Sequence, residues 1–287
     1  MKKQIRLFIL TLKNVFRNPL GILGAVFFLP LVFMGVFAPI LSPYSPLEMH
    51  KGQELTPPSL NYLLGTDEFG RDILSRVFYG TRISLSVGII SVSIGVILGI
   101  ITGLIAGYWG GIIDSVIMRL WDCILAFPTI LLGIGVAAFL GPGAMNAGIA
   151  VAIRNMPIFS RIIRSSVLSE REKEYVVAEK ALGSSDIRIV FQGILPNCLS
   201  PILVQIAAEM AFAVLLEAGL SFLGLGAQHP TPSWGSMLQS SRAYLGTAPW
   251  YGIFPGVALA SMILGLNFFS DALRDALDPR LTREMRK

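Results

Sequence analysis

The sequence predicts an all-α membrane protein with six spanning helices. Three observations carry that prediction. Of 287 residues, 53% are hydrophobic and only 14% charged, about half the charge of a soluble domain. The mean hydropathy is +0.67. The apolar residues gather in long charge-free runs, and Lys and Arg fall mostly outside them.

The first run, Asn18 to Leu47, contains no charge. At about 1.5 Å per residue it exceeds the ~30 Å hydrocarbon core, and a span is expected near Leu20–Leu41, kinked at Pro30 and Pro39. No short apolar stretch with a small-residue cleavage site precedes it, so it reads as an uncleaved span. Ser42 to Arg82 is too polar to span. Within it Phe69, Ile73 and Val77 recur at helical spacing between Arg71, Asp72, Ser75 and Arg76, which predicts a short amphipathic helix at the membrane surface.

Ile83 to Ile113 is charge-free and forms the second predicted span. Gly95, Gly99, Gly103 and Gly107 recur every four residues, giving a small-residue face that admits a close helix, from a partner subunit or from this chain. Asp114, Arg119 and Asp122 read as a polar connection. Cys123 to Ile153 is charge-free but is divided by the turn signal from Leu140 through Gly141, Pro142 and Gly143 to Asn146. A third span therefore ends near Leu140. A fourth begins near Asn146, is interrupted by Arg154 and Pro157, and ends at Arg161. Arg154 either pairs with an acid or snorkels from a span that starts later. A polar segment, helical up to Gly183, runs from Arg161 to Asn197. The fifth span lies within Pro201–Leu225, a Gly/Pro-rich loop covers 226–249, and the sixth lies near Tyr251–Phe269.

Six spans put both termini on one side. Seventeen Lys and Arg fall on that side, counting the two tails, Arg119 and the segment 161–188. Five fall on the other: Lys51, Arg71, Arg76, Arg82 and Arg242. The basic side should be cytoplasmic. This asymmetry also explains the net charge of +5 without nucleic acid.

Several chemistries are excluded. None of the seven lysines follows a glycine, so there is no phosphate-binding Gly-Lys-Ser/Thr loop. No nucleophile elbow, zinc-protease motif or metal-spaced Cys/His set occurs. Cys123 and Cys198 read as packing residues, and His229 as a solvated loop residue or a contact for a metal chelate. No metal site is expected. Glu209, one turn after Gln205, and Glu217 lie in the fifth span, where a charge costs roughly 2.5–3.5 kcal/mol and must face the bundle or water. Gln205 and Glu209 are candidates for lining a translocation pathway, with Glu209 attracting a cationic group of the solute; the alternative is a polar tie to a neighbouring helix. For Glu217 the structural role is preferred.

The most informative stretch is Glu174-Tyr-Val-Val-Ala-Glu-Lys-Ala-Leu-Gly183, followed by Ile194-Leu195-Pro196. It reads as a short helix, a glycine stop, a second helical piece and a proline before the next span. Ala178 and Ala181 give the helix a low profile suited to another protein's groove. This resembles the Glu-Ala-Ala loop of binding-protein-dependent ABC permeases. Val177, Ala178 and Glu179 occupy the three positions, with agreement at Ala178, while Gly183 and Ile194-Leu195-Pro196 fit the remainder; Glu174 or Glu179 stands in for the missing first acid. Leu64 to Arg76, Tyr79 to Leu85, Glu217 to Gly226, Pro232 to Leu238 and Asp271 to Arg280 are similar to stretches of the dipeptide, oligopeptide and nickel permease group, C-type subunit.

That resemblance implies a type I ABC importer transmembrane fold. Residues 1–80 would hold a cytoplasmic tail, the first span and an extracytoplasmic segment. Residues 81–275 would form the core, with a coupling loop at about 170–197, and 276–287 a cytoplasmic tail. It implies no cofactor on this chain and no enzymatic activity, with ATP and Mg on two partner ATPase subunits. A second, B-type permease and an extracytoplasmic solute-binding protein complete the partners, in a bacterial inner membrane. Glu174, Ala178, Glu179, Ala181, Gly183, Ile194, Leu195 and Pro196 would couple to the ATPase. The implied solute is a di- or oligopeptide, alternatively nickel or its chelate; a stand-alone secondary transporter is the rival reading.

Overall fold

The computed structural model describes residues 14–277. The basic residues at 2–13 and 280–287, and the tail beyond 277, lie outside them.

Helix α1 (Pro19–Val36) starts with proline in its first turn, and the Asn18 side chain accepts from the Leu20 amide. Pro30 sits inside it, and a further turn, Ala38–Leu41, follows with Pro39 near its start. Helix α2 (Ile73–Trp109) runs 37 residues and is capped by Asp72, which accepts from the Ser75 amide at 2.8 Å. The expected amphipathic surface helix is therefore not separate. Ile73 and Val77 form the first turns of α2, buried against Trp234 and Tyr251. The charges beside them are buried instead of facing water: Arg71 and Arg76 pair with Asp67, and Asp72 accepts from the Ser75 amide and hydroxyl.

Gly110, at φ +67°, ends α2. Helix α3 (Gly111–Leu125) follows and bends by 89° into α4 (Thr129–Leu140). The predicted polar connection at 114–122 is thus helical. Asp114 receives two bonds from Arg164, and Asp122 pairs with Arg161, so the charges are held by the neighbouring helix α5 (Ala144–Glu170).

The polar stretch comprises α6 (Glu174–Ala181), a stop at Gly183, one turn at Asp186–Arg188, a π-helical turn Ile189–Ile194, and a tight turn Leu195–Asn197. Helices α7 (Leu199–Phe222), α8 (Trp234–Ser241) and α9 (Trp250–Leu277) complete the described chain.

Among the described residues, α1, α2, α7 and α9 are long and apolar enough to cross a membrane, and the bent α3–α4 pair makes up to five. The fourth expected span corresponds to α5. At 27 residues it has the length, but Arg154, Asn155, Arg161 and Arg164 lower its hydropathy. Its polar side chains are directed to α2, α3 and α7.

The glycine face of α2 is filled from within the chain, by α5. A Cβ on Gly95 would lie 2.6 Å from Asn155 Cβ, one on Gly99 2.5 Å from Phe159 Cβ, and one on Gly107 2.8 Å from Val167 Cβ. At Gly103 the obstacle is the Ser160 carbonyl at 2.5 Å. The partner-subunit alternative for this face gives way to internal packing. A second close crossing joins α1 to α9, where a Cβ on Gly24 would meet the Phe269 amide nitrogen at 2.7 Å and one on Gly265 the Phe28 amide nitrogen at 2.7 Å.

Candidate functional site: a docking segment, a sealed acid and an intramembrane cleft

The segment 174–197 has a buried back and an exposed front. Val176, Ile189, Val190 and Ile194 pack into the core with Phe159, Ile163 and Val167 of α5. Tyr175 Oη donates to Glu170 Oε2 at 2.8 Å, and Asn197 Nδ2 donates to the Gly193 carbonyl at 2.9 Å. Tyr108, near the end of α2, donates to Asp186 and lies under Lys180, while Arg171 donates to the Gly107 carbonyl at 2.9 Å. These bonds fasten the segment to the ends of both α2 and α5. Burial pushes the Tyr175 phenol above its ordinary value, and the bond to Glu170 acts in the same direction.

The front carries Val177, Leu182, Ile187 and Phe191; Leu182 is 85% and Ile187 69% exposed. Of the residues singled out from sequence, Glu174, Ala178, Ala181 and Gly183 are exposed. Glu179, Leu195 and Pro196 are half-buried, and Ile194 is buried. Sequence reasoning named Val177 only as a departure from the Glu-Ala-Ala pattern and missed Leu182, Ile187 and Phe191 as front residues. Their signal was apolar residues standing between charges without core periodicity.

On the fifth predicted span, Glu217 is fully buried. It accepts from Ser84 Oγ of α2 at 3.0 Å and from Ser221 Oγ at 2.7 Å, and Ser221 Oγ in turn accepts from the Ala227 amide at 2.9 Å. These bonds tie α2 to the end of α7 and to the loop beyond it.

Glu209 is 4% exposed, and both of its oxygens are engaged. Gln205 Nε2 donates to Oε1 at 2.8 Å, and Arg154 Nη1 pairs with Oε2. Arg154 therefore does not snorkel from a helix end. It lies well inside α5 and reaches α7. Glu209 is a polar tie to a neighbouring helix, and its carboxylate is already committed to Arg154 and Gln205 rather than free for a cation. Arg154 and Glu209 line a cleft of about 250 Å³ with Phe212, Leu215, Ile263 and Asn267. The sequence offered an acid as partner for Arg154 and a polar tie for Glu209 but did not join the two, which are 55 residues apart.

Elsewhere, His50 packs edge-on to Tyr44 and beside Tyr62, with ring centroids 5.1 and 5.5 Å away. His229 is exposed in the loop after α7. Cys198 is buried and Cys123 exposed. Among the described residues, no group of three or more His, Cys, Asp or Glu stands ready to hold a metal.

Long apolar helices, internal ion pairs and a fastened, outward-facing loop helix define a polytopic membrane component. The chain belongs to the family of binding-protein-dependent transport system inner membrane components, whose family model matches residues 57–283. Residues 7–58 match the N-terminal transmembrane domain of oligopeptide transport permease C. The dipeptide transport system permease protein DppC of Alkalihalophilus pseudofirmus is 47% identical over 269 residues, covering 94% of this chain and 88% of the relative. The di/tripeptide permease protein DppC of Pseudomonas aeruginosa is 44% identical, covering 90% and 87%. The Escherichia coli dipeptide permease protein DppC is 42% identical, covering 92% and 90%. The MetNI methionine ABC transporter, solved in inward-facing conformations, contains a chain with the same fold: TM-score 0.56 at 18% identity, covering 69% of this chain and 94% of that one.

Proposed function

We propose that this chain is one permease subunit of an ATP-binding-cassette importer, contributing half of the pathway for di- and oligopeptides delivered by a binding protein. The observation that carries the reading is the two-sided segment 174–197. Its exposed apolar front suits insertion into a groove of an ATPase subunit, and its back is bonded to α2 and α5. Movement of the front would therefore be passed to those helices rather than lost in a flexible loop. Glu174, Ala178, Ala181 and Gly183 lie on the docking front, and Glu179, Ile194, Leu195 and Pro196 support it. ATP and Mg belong to two partner subunits, and a second permease supplies the facing wall. The peptide assignment draws on the names of relatives 42–47% identical.

The charge asymmetry supports a cytoplasmic side for the segment 174–197 and both tails, in a bacterial cell membrane. Residues 81–275 form the translocation core, and Gln205 and Glu209 reach its wall through Arg154.

Co-purification of the tagged chain from its native membrane, with mass spectrometry, tests the assembly. The expected companions are a second permease and proteins carrying a phosphate-binding loop. A chain that elutes alone and moves solute in liposomes without ATP contradicts the proposal.

A further inference from the structure

The guanidinium of Arg154 is used on one side only. Nη1 serves Glu209 and the Asn155 side-chain oxygen, which lies 3.0 Å away. Nε and Nη2 make no hydrogen bond among the described residues. The Arg154 side chain is 21% exposed, against 5% for Glu209. Its guanidinium carbon lies 3.8 Å from the centroid of the Phe212 ring, which fixes the plane of the fork. Nearby, Asn267 Nδ2 donates to the Ile263 carbonyl at 2.9 Å, leaving its oxygen without a donor among the described residues.

A cation at this depth of a spanning helix does not face hydrocarbon, because removing it from water is too costly. The side to which Arg154 opens is therefore a watery path or a partner's surface. A planar fork with one edge anchored and one free is shaped for a carboxylate, which it can bind through two parallel bonds. The acid that holds it is closed off and offers nothing to a passing cation.

We infer that Arg154 receives the carboxylate of a peptide in transit, while Glu209, Gln205 and Phe212 act as positioning residues. The inference rests on the reading of the chain as a peptide pathway wall. It reverses the sequence-based expectation, under which Glu209 attracts a cationic group.

The test uses the complete assembly, with binding protein, in proteoliposomes, measuring uptake of a labelled dipeptide alongside ATP hydrolysis. The charge-swapped pair Arg154→Glu/Glu209→Arg keeps the interhelical tie but buries the cation's anchor differently. The near-isosteric pair Arg154→Gln/Glu209→Gln keeps hydrogen bonding without charge. Uptake is divided by the ATP hydrolysed in the same vesicles, so that a change in the hydrolysis rate does not enter the readout. Both are expected to lose about tenfold in uptake per ATP hydrolysed, as when a group that binds the moving solute is removed. Wild-type uptake by either pair overturns the inference and reduces Arg154 to a tie between helices. If the swap fails to assemble, the glutamine pair decides alone. A wild-type assembly that hydrolyses ATP but moves no dipeptide defeats the peptide reading itself, an outcome visible before any variant is made.

Discussion

Residues 64–76 and 174–197 are both rich in charge, yet the fold treats them in opposite ways. In the first, Asp67, Arg71, Asp72 and Arg76 are all at most 2% exposed. Asp67 accepts from Arg71 Nε at 2.7 Å and lies 3.3 Å from Arg76 Nε, and Arg76 Nη1 donates to the Pro46 carbonyl at 3.0 Å. In the second, the charges lie mostly outside and large apolar side chains lie out with them. The first region completes itself and fixes the start of α2 against α8 and α9. The second leaves that apolar area uncovered among the described residues. Charge density alone therefore does not mark a docking surface; the mark is apolar area left exposed on a rigidly fastened backbone.

The largest effect is expected in the self-contained region. Asp67→Ala leaves two buried guanidinium groups without their shared acceptor and should cost about 3–5 kcal/mol, read as a large drop in the thermal midpoint of the purified chain. A drop no larger than that of a surface substitution would mean that water reaches the cluster.

The glycine face gives the next effect. Gly99→Ala places a methyl 2.5 Å from Phe159 Cβ and should cost about 1–3 kcal/mol through overpacking. Gly219→Ala, which meets nothing within 4 Å on α7, should be neutral or stabilising by up to about 1 kcal/mol. Equal effects on thermal stability would remove α5 as the occupant of that face.

A smaller loss, about 1 kcal/mol, is expected for Tyr175→Phe, which removes the bond to Glu170. Because the folded phenol sits above its ordinary value of 10.0, its contribution is whole below that pH and declines as pH rises through it. The variant should show a shallower loss of stability above pH 10, measured by alkaline denaturation. The smallest effect on stability is expected for Leu182→Glu on the exposed front, within about 0.5 kcal/mol. The same change should abolish ATP-driven uptake. A variant that instead unfolds would show that Leu182 belongs to the core.

Much of this organisation was legible in the sequence. Charge-free runs located α1, α2 and α9, an apolar run broken by two glutamates located α7, and the stop at Gly183 and the turn at Pro196 fell where their residue types predict. The failures share a physical cause: a charge was read as a sign of water. Arg71, Asp72 and Arg76 looked like a surface helix because their partners, Asp67 and the Pro46 carbonyl for the arginines and Ser75 for Asp72, lie in the loop and first turn around them. Asp114 and Asp122 looked like a connection because Arg161 and Arg164, which hold them, come some forty to fifty residues later. The same long-range pairing made α5 too polar to count as a span by composition, and it hid the partnership of Arg154 with Glu209.

The central claim is that ATP hydrolysis by partner subunits moves a peptide along this chain through the segment 174–197. Uptake of a labelled dipeptide by proteoliposomes carrying the full assembly tests it most directly, with wild-type and Leu182→Glu chains compared at equal protein. The account predicts uptake that requires hydrolysable ATP on the face bearing that segment and that disappears in the variant while the helices remain folded. Uptake that persists without ATP, or that the variant leaves untouched, would contradict it.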